Sequence, residues 1–479
     1  MDKKLITSIL DSRKTKNCIT YKDFKLNPSD LLLSWGNNKK FVIRTYGCQA
    51  NVRDSEIIRG FLLKIGMVES DTFNDADFIL FNTCAVRENA ENHLYGELGL
   101  AKKRLRTNKD LIVAICGCVM QETKPVKFIL DHFKFVKIIF GTSNIPSFYS
   151  LLEAAIKEDI VAIDLENNFD QVFEEKEDLN LSRFSKVVAY TNIMYGCDKF
   201  CSYCIVPYTR GKERSRRKEE IINEVECLKR LGYKQVTLLG QNVDSYGKDF
   251  KSSYTFASLL EDVAKTGIER IRFTTPYPSD FDEETFKVMK KYDNIMPSVH
   301  MPLQSGSNAV LKKMNRRYTK EEYLGLIDKL KKHIPDVAIT TDIIVGFPSE
   351  KDKDFNETLE VVKKVKFDQA FTFIYSPRED TPASKLKNAS SKEEIKNRFN
   401  ILKKLVDDIA EEKASELVGK TCKVLFETIS KKNKDYYSGY SEKGKLVHVR
   451  GKSDLIGSIK KVKIIESHTY SLIGELENE

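Results

Sequence analysis

The sequence predicts an α/β multidomain protein: an N-terminal parallel α/β sheet domain, a central partial (β/α)6 barrel and a small C-terminal β-barrel. Three observations carry this reading. Strand-like and helix-like segments alternate from Phe41 to about residue 165 and alternate again from residue 187, the pattern of parallel sheets covered by helices. An acidic stretch of poor periodicity parts the two series, and after Gly419 the pattern turns to short strands separated by turn residues. A chain of 479 residues has room for about three domains of roughly 150 residues each.

Composition removes several function classes. Hydrophobic residues make up 41% and charged residues 31%, with 23 Gly and 12 Pro, so collagen-like, low-complexity and broadly disordered chains are excluded. No apolar stretch approaches the roughly 18 residues that span a bilayer. The apolar patch from Leu5 to Leu10 is too short for a secretory segment. The expected address is therefore cytoplasmic, with no membrane partner. Lys and Arg number 79 against 70 Asp and Glu, and the net charge of +9 slightly favours a polyanionic partner. Ten cysteines without an export signal are expected to be reduced thiols, which turns attention to metal binding and catalysis.

The elements follow in order. Residues 1–40 form a lysine-rich extension, holding the only tryptophan, Trp35, and are expected to dock on the body or to lack structure in part. The first domain, 41–165, contains FVIRTYG, a helix from about Val52 to Ile65, ADFILFN, a helix from about Arg87 to Leu105, and LIVAIC with a further helix. A strand near KFVKIIFGT and a helix near Ser147 to Ile156 complete it. Residues 166–186, which include ENNFDQVFEEKEDLNLS, read as a linker.

The second domain, 187–417, offers six strands: VVAYTNIMYG, QVTLLGQ, RIRFTT, PSVHMPL, VAITTDIIVG and DQAFTFIYS. Helical segments such as Glu219 to Leu231 and Lys320 to Lys332 lie between most of them, and a charged helix from about Lys392 to Leu417 closes the region. Six βα units make an open barrel, since a complete one needs eight. In the last domain, 418–479, the segments TCKVLFETI, YYSGYS, KLVHVRG, SIKKVKIIES and TYSLIGEL predict a five-strand barrel. It carries twelve Lys and Arg against eight Asp and Glu. Such a module either binds RNA or braces the catalytic domain.

The cysteines hold the chemical information. Cys197, Cys201 and Cys204 stand as C-x-x-x-C-x-x-C in YGCDKFCSYCIVPY, directly after the first strand of the second series. Three thiolates in so short a loop can hold one iron–sulfur cluster and leave one iron open to a small-molecule ligand. Structural zinc wants four protein ligands, and no nearby His or fourth Cys offers one. Cys48, Cys84 and Cys118 form a dispersed triplet in TYGCQAN, NTCAVREN and CGCVMQE, 36 and 34 residues apart. Each follows a separate strand of the first domain, and loops from the carboxyl edge of a parallel sheet converge on one crevice. A second cluster is the natural inference, against the alternative of three separate buried thiols. Cys116 competes with Cys118 as a ligand, although within a strand it is expected to face the core. Cys18, Cys116, Cys227 and Cys422 show no ligand-like spacing, and Cys227, on an expected helix, and Cys422, on an expected strand, are expected to be ordinary apolar side chains.

Polar residues gather at the expected strand ends of the barrel: Gln241 and Asn242, Gln304 and Ser305, and Asp342, with His300 nearby in a supporting role. They can hold a ligand's amine, carboxylate or ribose, or merely form turns. Arg210, Lys212, Arg214, Arg216, Arg217 and Lys218 form a basic run opposed only by Glu213. Near an active-site mouth that run is expected to neutralise phosphates, rather than to serve only as a solvated helix start.

GCDKFCSYCIVPYTRGKERSR resembles the radical S-adenosylmethionine (radical SAM) signature of the methylthiotransferases. The dispersed triplet resembles the same family's N-terminal domain, and the final module is similar to its RNA-binding TRAM barrel. The resemblance covers Phe41 to Leu476. It implies two 4Fe-4S clusters and S-adenosylmethionine. Cys197, Cys201 and Cys204 would hold the radical SAM cluster and Cys48, Cys84 and Cys118 the auxiliary one. Tyr203, Gln241, Asn242 and Gln304 would bind the cofactor, and Arg210, Arg214, Arg216 and Arg217 would bind RNA.

VPYTRGKERSR, HMPLQSGS, FTFIYSPR and SLIGEL most resemble the branch that adds a methylthio group to carbon 2 of N6-isopentenyladenosine at position 37 of tRNA. That hydrogen is neither acidic nor next to a leaving group, so radical chemistry is needed and no catalytic His or carboxylate pair is expected. The implied partners are the tRNA anticodon stem-loop and an electron donor such as flavodoxin or ferredoxin, the enzyme acting as a monomer; the sulfur donor is not specified. The branches acting on threonylcarbamoyladenosine or on a ribosomal protein share the architecture, and a non-catalytic iron–sulfur RNA-binding protein is the alternative of another class. One departure stands out: EDTPAS at 379–384 has Asp380 where the family's turn has glycine.

Overall fold

A computed structural model describes residues 20–23, 27–85, 88–158, 160–166, 170–174, 182–388, 390–451 and 454–477. Cys18 lies outside them. The chain forms two compact units: one comprises the chain up to Phe184 with Met194–Asp198 and Cys204–Glu220, the other Ser185–Ile193, Lys199–Tyr203 and Ile221 onward.

The first unit is built on a six-stranded, all-parallel sheet. Its spatial order is Val68–Glu69, Lys40–Tyr46, Phe78–Thr83, Ile112–Cys116, Val136–Phe140, Ala162–Asp164. Phe78–Thr83 and Ile112–Cys116 are buried along their whole length, as strands covered by helices on both faces must be. The order reverses between Lys40–Tyr46 and Phe78–Thr83, so the loops after these two strands diverge and leave a crevice at the sheet's carboxyl edge. Phe148 anchors one face, its ring 5.9 Å from Phe61, 5.9 Å from Phe78 and 6.0 Å from Phe140, centroid to centroid.

Two stretches expected to be peripheral carry structure. Within the extension, the helix Asp30–Gly36 buries Leu32 and packs Trp35 against the same core. Within the segment read as a linker, Gln171–Glu174 pairs in parallel with Thr20–Asp23. Farther along, Ser182 Oγ donates to the Glu56 carbonyl at 2.8 Å, and Arg183 Nη1 meets Glu56 Oε2 at 3.1 Å. Within the segment read as a linker, then, the strand pairs with the extension in a two-stranded sheet of its own, and a buried ion pair and hydrogen bond join its end to Glu56 of the sheet domain. Each segment is too short to show a period of its own.

The second unit contains all six expected barrel strands, in chain order. Val188–Asn192, Gln235–Leu239 and Arg270–Phe273 form one parallel sheet, and Ser298–His300, Ala338–Val345 and Gln369–Ile374 another. A parallel bridge between Ile271 and Ile295 continues the series across the gap. The helix Lys392–Ser415 follows, and the remaining strands, Thr421–Ile429, Tyr436–Ser441, Leu446–Arg450, Ile459–His468 and Ser471–Leu476, close into a five-stranded barrel. Arg270 ties that barrel to the βα series through the carbonyls of Tyr440, at 2.7 Å, and Lys423, at 3.1 Å. Among the described residues no helix is long and apolar enough to cross a membrane.

Candidate iron–sulfur and cofactor site

In the first unit the structure brings Cys48, Cys84 and Cys118 together at the switch point of the sheet. Cys48 caps the helix Gln49–Lys64. Its backbone N–H and its thiol both point to Asn51 Oδ1, at 3.4 and 3.3 Å. Asn51 Nδ2 in turn donates to Asn82 Oδ1 at 2.9 Å, and Asn82 Nδ2 to the Asn51 carbonyl at 2.9 Å and Ser55 Oγ at 3.0 Å. This buried amide network fixes the helix start that presents Cys48 against the strand end that presents Cys84. Gly117 delivers the third thiol. It sits at φ +106°, and a β-carbon there would lie 2.2 Å from the Thr83 carbonyl, so only glycine lets the Cys118 loop approach the neighbouring strand.

The electrostatics suit anionic sulfur. A hydrogen bond with Cys84 holds the Cys48 thiol well below its ordinary range, overcoming burial, and the nearby Arg210 adds to the effect. Burial pushes the Cys118 thiol up, and Arg210, whose Nε lies 3.2 Å from Cys118 Sγ, opposes that push. Cys116, at the end of the strand Ile112–Cys116, is buried in the core, and desolvation drives its thiol well above the ordinary value. Soft thiolates beside a fixed guanidinium are a donor set that fits an iron–sulfur cluster. Among the described residues no three Cys, His, Asp or Glu side chains close on one point as the ligands of a single ion do.

The three-cysteine loop divides between the units, Cys197 and Cys204 belonging to the first and Cys201 to the second. Gly196, at φ +77°, packs against the Lys212 carbonyl, where a β-carbon would stand 2.0 Å away, and the Cys197 N–H donates to the Gly211 carbonyl at 3.0 Å. In the second unit, Ser202 N–H and Oγ donate to the carbonyls of Met314 and Lys313 at 2.9 and 2.7 Å, and the Ser202 carbonyl accepts from Ala383 N at 2.9 Å. Arg316 Nη1 lies 3.6 Å from Cys201 Sγ. Lys199 pairs with Asp280 at 2.5 Å and stands 5.0 Å from the Tyr277 ring centroid.

Comparison with known proteins gives the family. Residues 191–362 match the Radical SAM superfamily, 40–141 the uncharacterized protein family UPF0004 and 415–476 the TRAM domain. Over 446 residues, 93% of this chain and 83% of the relative, the chain is 50% identical to a tRNA-2-methylthio-N(6)-dimethylallyladenosine synthase from Geobacillus kaustophilus. It is 47% identical over 475 residues, 98% of this chain and 92% of the relative, to the protein of the same description from Bacillus subtilis. The chain belongs to the tRNA-2-methylthio-N(6)-dimethylallyladenosine synthase family. A radical S-adenosylmethionine methyltransferase from Kitasatospora setae, solved with cobalamin and a 4Fe-4S cluster bound, shares the fold. Its TM-score is 0.55 at 13% identity, over 72% of this chain and 77% of that one.

Against that family frame, the residues expected at the barrel mouth fall into two groups. Asn242 is buried, its Nδ2 donating to Ser245 Oγ at 2.6 Å and Asp280 Oδ2 at 2.9 Å. Gln304 is buried at φ +68°, and its backbone bridges the Asp342 carbonyl and the Ile344 N–H. Thr275, a β-branched residue, sits at φ +59° beside the same strand ends. Backbone strain of this kind collects at functional sites. Gln241 is half-buried after the strand Gln235–Leu239, whereas Tyr203 packs against Val310, Met314, Phe347 and Ala383. His300 meets Thr340 Oγ1 at 2.9 Å through Nδ1 and Asp342 Oδ2 at 3.2 Å through Nε2.

The basic run needs correction. Arg210, Arg214 and Arg216 are buried, at 6%, 5% and 0% exposure, so they do not present their charges to an RNA phosphate. Arg210 is paired with Asp54 at 2.9 Å. Arg214 donates to the carbonyls of Lys212 and Arg210 at 2.9 and 3.2 Å, and burial lowers its pKa to about 10. Arg217 and Lys218 remain solvent-facing. Sequence reasoning missed Asp54, Asn51, Asn82, Lys199, Asp280 and Arg316, because a buried polar residue on a helix, strand or loop does not show its partners in the sequence.

Proposed function

We propose that this chain adds a methylthio group to carbon 2 of N6-isopentenyladenosine at position 37 of tRNA. The observation that carries the reading is the gathering of Cys48, Cys84 and Cys118 at the sheet's switch point, in a chain whose three-cysteine loop supplies a second, separate thiol set. Cys197, Cys201 and Cys204 would hold the radical SAM cluster, with its S-adenosylmethionine, and the dispersed triplet the auxiliary cluster. When bound, these groups supply a one-electron cleavage of the cofactor, able to remove an unactivated hydrogen, together with the sulfur to be inserted.

The protein's own residues position and exclude. Asn51 and Asn82 hold the helix start that carries Cys48, Arg316 steadies Cys201, and Asn242 and Gln304 line the mouth as candidate cofactor contacts, with Gln241 beside them. Arg217 and the basic C-terminal barrel face the RNA backbone, whose anticodon loop presents a splayed base. The enzyme would act as a cytoplasmic monomer and take electrons from a donor of the flavodoxin or ferredoxin class.

Mass spectrometry of tRNA nucleosides and ribosomal proteins from a deletion strain tests the substrate. Loss of the 2-methylthio derivative with accumulation of isopentenyladenosine supports the proposal. Loss of methylthio from threonylcarbamoyladenosine or from a ribosomal protein, with the isopentenyladenosine derivative intact, refutes it.

A further inference from the structure

We infer that Arg210 is a positioning residue of the auxiliary cluster: its guanidinium, braced by Asp54, holds the Cys118 sulfur and supplies the charge that governs how readily that cluster accepts an electron. The inference rests on the reading that Cys48, Cys84 and Cys118 are the auxiliary ligands.

Arg210 is held through both its backbone and its side chain. Its N–H donates to the Val206 carbonyl at 2.8 Å, and its own carbonyl accepts from Arg214 Nη1 and Nη2 at 3.2 and 3.3 Å. The side chain donates from Nε to Cys118 Sγ at 3.2 Å and from Nη2 to Asp54 Oδ2 at 2.9 Å. Both Arg210 and Asp54 are buried, so solvent screens neither charge. A guanidinium stays protonated across the accessible pH range, so its charge is a fixed feature of the site.

The arrangement is polarised. The guanidinium touches the Cys118 sulfur directly, and the Asp54 carboxylate that it pairs with also acts on that thiol, in the opposite sense. A three-thiolate cluster becomes more negative on accepting an electron, and both the nearby charge and the hydrogen bond to sulfur favour that reduced form. Arg210 also lies six residues beyond Cys204 in the chain. The segment that carries a ligand of one cluster therefore also supplies the cation that faces a ligand of the other.

The two partners predict opposite effects, which separates an electrostatic role from a merely structural one. In full-length chain carrying Cys197→Ala, Cys201→Ala and Cys204→Ala, anaerobic reconstitution with iron and sulfide leaves the auxiliary cluster alone, and its midpoint potential is read by EPR-monitored redox titration. Arg210→Gln is expected to shift the reduction equilibrium at least tenfold toward the oxidised form, about 59 mV for one electron. Asp54→Asn, which uncovers the guanidinium's charge, is expected to shift it toward the reduced form, and Arg210→Lys to retain part of the native value. Should Arg210→Gln fail to hold iron, the Asp54→Asn and Arg210→Lys potentials decide. Unmoved potentials in the variants that hold the cluster, or shifts in one direction with parallel loss of iron, overturn the inference. If the triple variant binds no iron before any change at Arg210, the assignment of the three ligands falls and the inference with it.

Discussion

The guanidinium of Arg316 lies 3.6 Å from the sulfur of Cys201 and over the rings of both Tyr277 and Tyr318, 4.3 and 4.9 Å from their centroids. Its Nε donates to the Tyr318 hydroxyl and its Nη2 to the Pro302 carbonyl, each at 2.8 Å. Each proposed cluster thus has one buried arginine on one of its thiols, Arg316 for Cys201 and Arg210 for Cys118. Arg316→Leu removes a charge-assisted bond and orphans buried partners, which is expected to cost about 3 kcal/mol of stability. Reductive formation of deoxyadenosine should fall with it. Urea unfolding and product quantitation, with Arg316→Lys as the charge-retaining control, check both.

Cys84→Ala separates the roles of the two thiol sets. The variant should still cleave S-adenosylmethionine and should lose methylthiolation altogether. Deoxyadenosine and modified nucleoside are measured in the same anaerobic reaction; loss of cleavage alone would reverse the assignment.

Asn51→Ala breaks the buried amide network between the Cys48 helix and the Cys84 strand, leaving Asn82 Oδ1 without its 2.9 Å donor. An unsatisfied buried amide costs about 1–3 kcal/mol. Thermal unfolding should report that loss. Iron bound by a chain that lacks Cys197, Cys201 and Cys204 should fall, while iron bound through those three residues is unchanged.

Glu350 gives a pH signature. Burial pushes its carboxyl up to about 7, although Gly346 N–H donates to it at 2.7 Å and Arg398 stands 3.4 Å away. Between its unfolded value near 4.5 and that folded value, the native chain keeps a proton that the unfolded chain has lost. This contribution to stability is therefore complete below pH 4.5, shrinks as pH rises to 7 and is level beyond. The fall amounts to about 3 kcal/mol. Glu350→Gln should flatten that part of a pH series of unfolding midpoints; an unchanged slope would contradict it.

Asp380, the departure from the family's glycine, adopts φ +64°, a left-handed conformation that glycine takes without penalty. Asp380→Gly is expected to be neutral or to stabilise by up to about 1 kcal/mol, with activity unchanged. Denaturant unfolding would reveal the opposite sign if the side chain itself were needed.

The thiols were legible in the sequence because each of Cys48, Cys84 and Cys118 follows the strand of its own βα unit, and the strand order then carries them to one edge. The six barrel strands and the five of the terminal barrel were legible from their apolar runs. Arg210 was not. Its partners Cys118 and Asp54 lie 92 and 156 residues away, and most of the charges near it in the chain are cations, so it read as one member of a phosphate-binding run. Gln171–Glu174 was missed for a similar reason: four residues among acids show no period, and their pairing partner lies at Thr20–Asp23.

One reaction tests the central claim most directly. Anaerobically reconstituted full-length chain is supplied with reductant, S-adenosylmethionine and tRNA bearing isopentenyladenosine, and both deoxyadenosine and the 2-methylthio nucleoside are quantified. The account predicts that both appear, and that the nucleoside alone disappears in Cys84→Ala. Deoxyadenosine without any methylthiolated tRNA from the intact chain would contradict it.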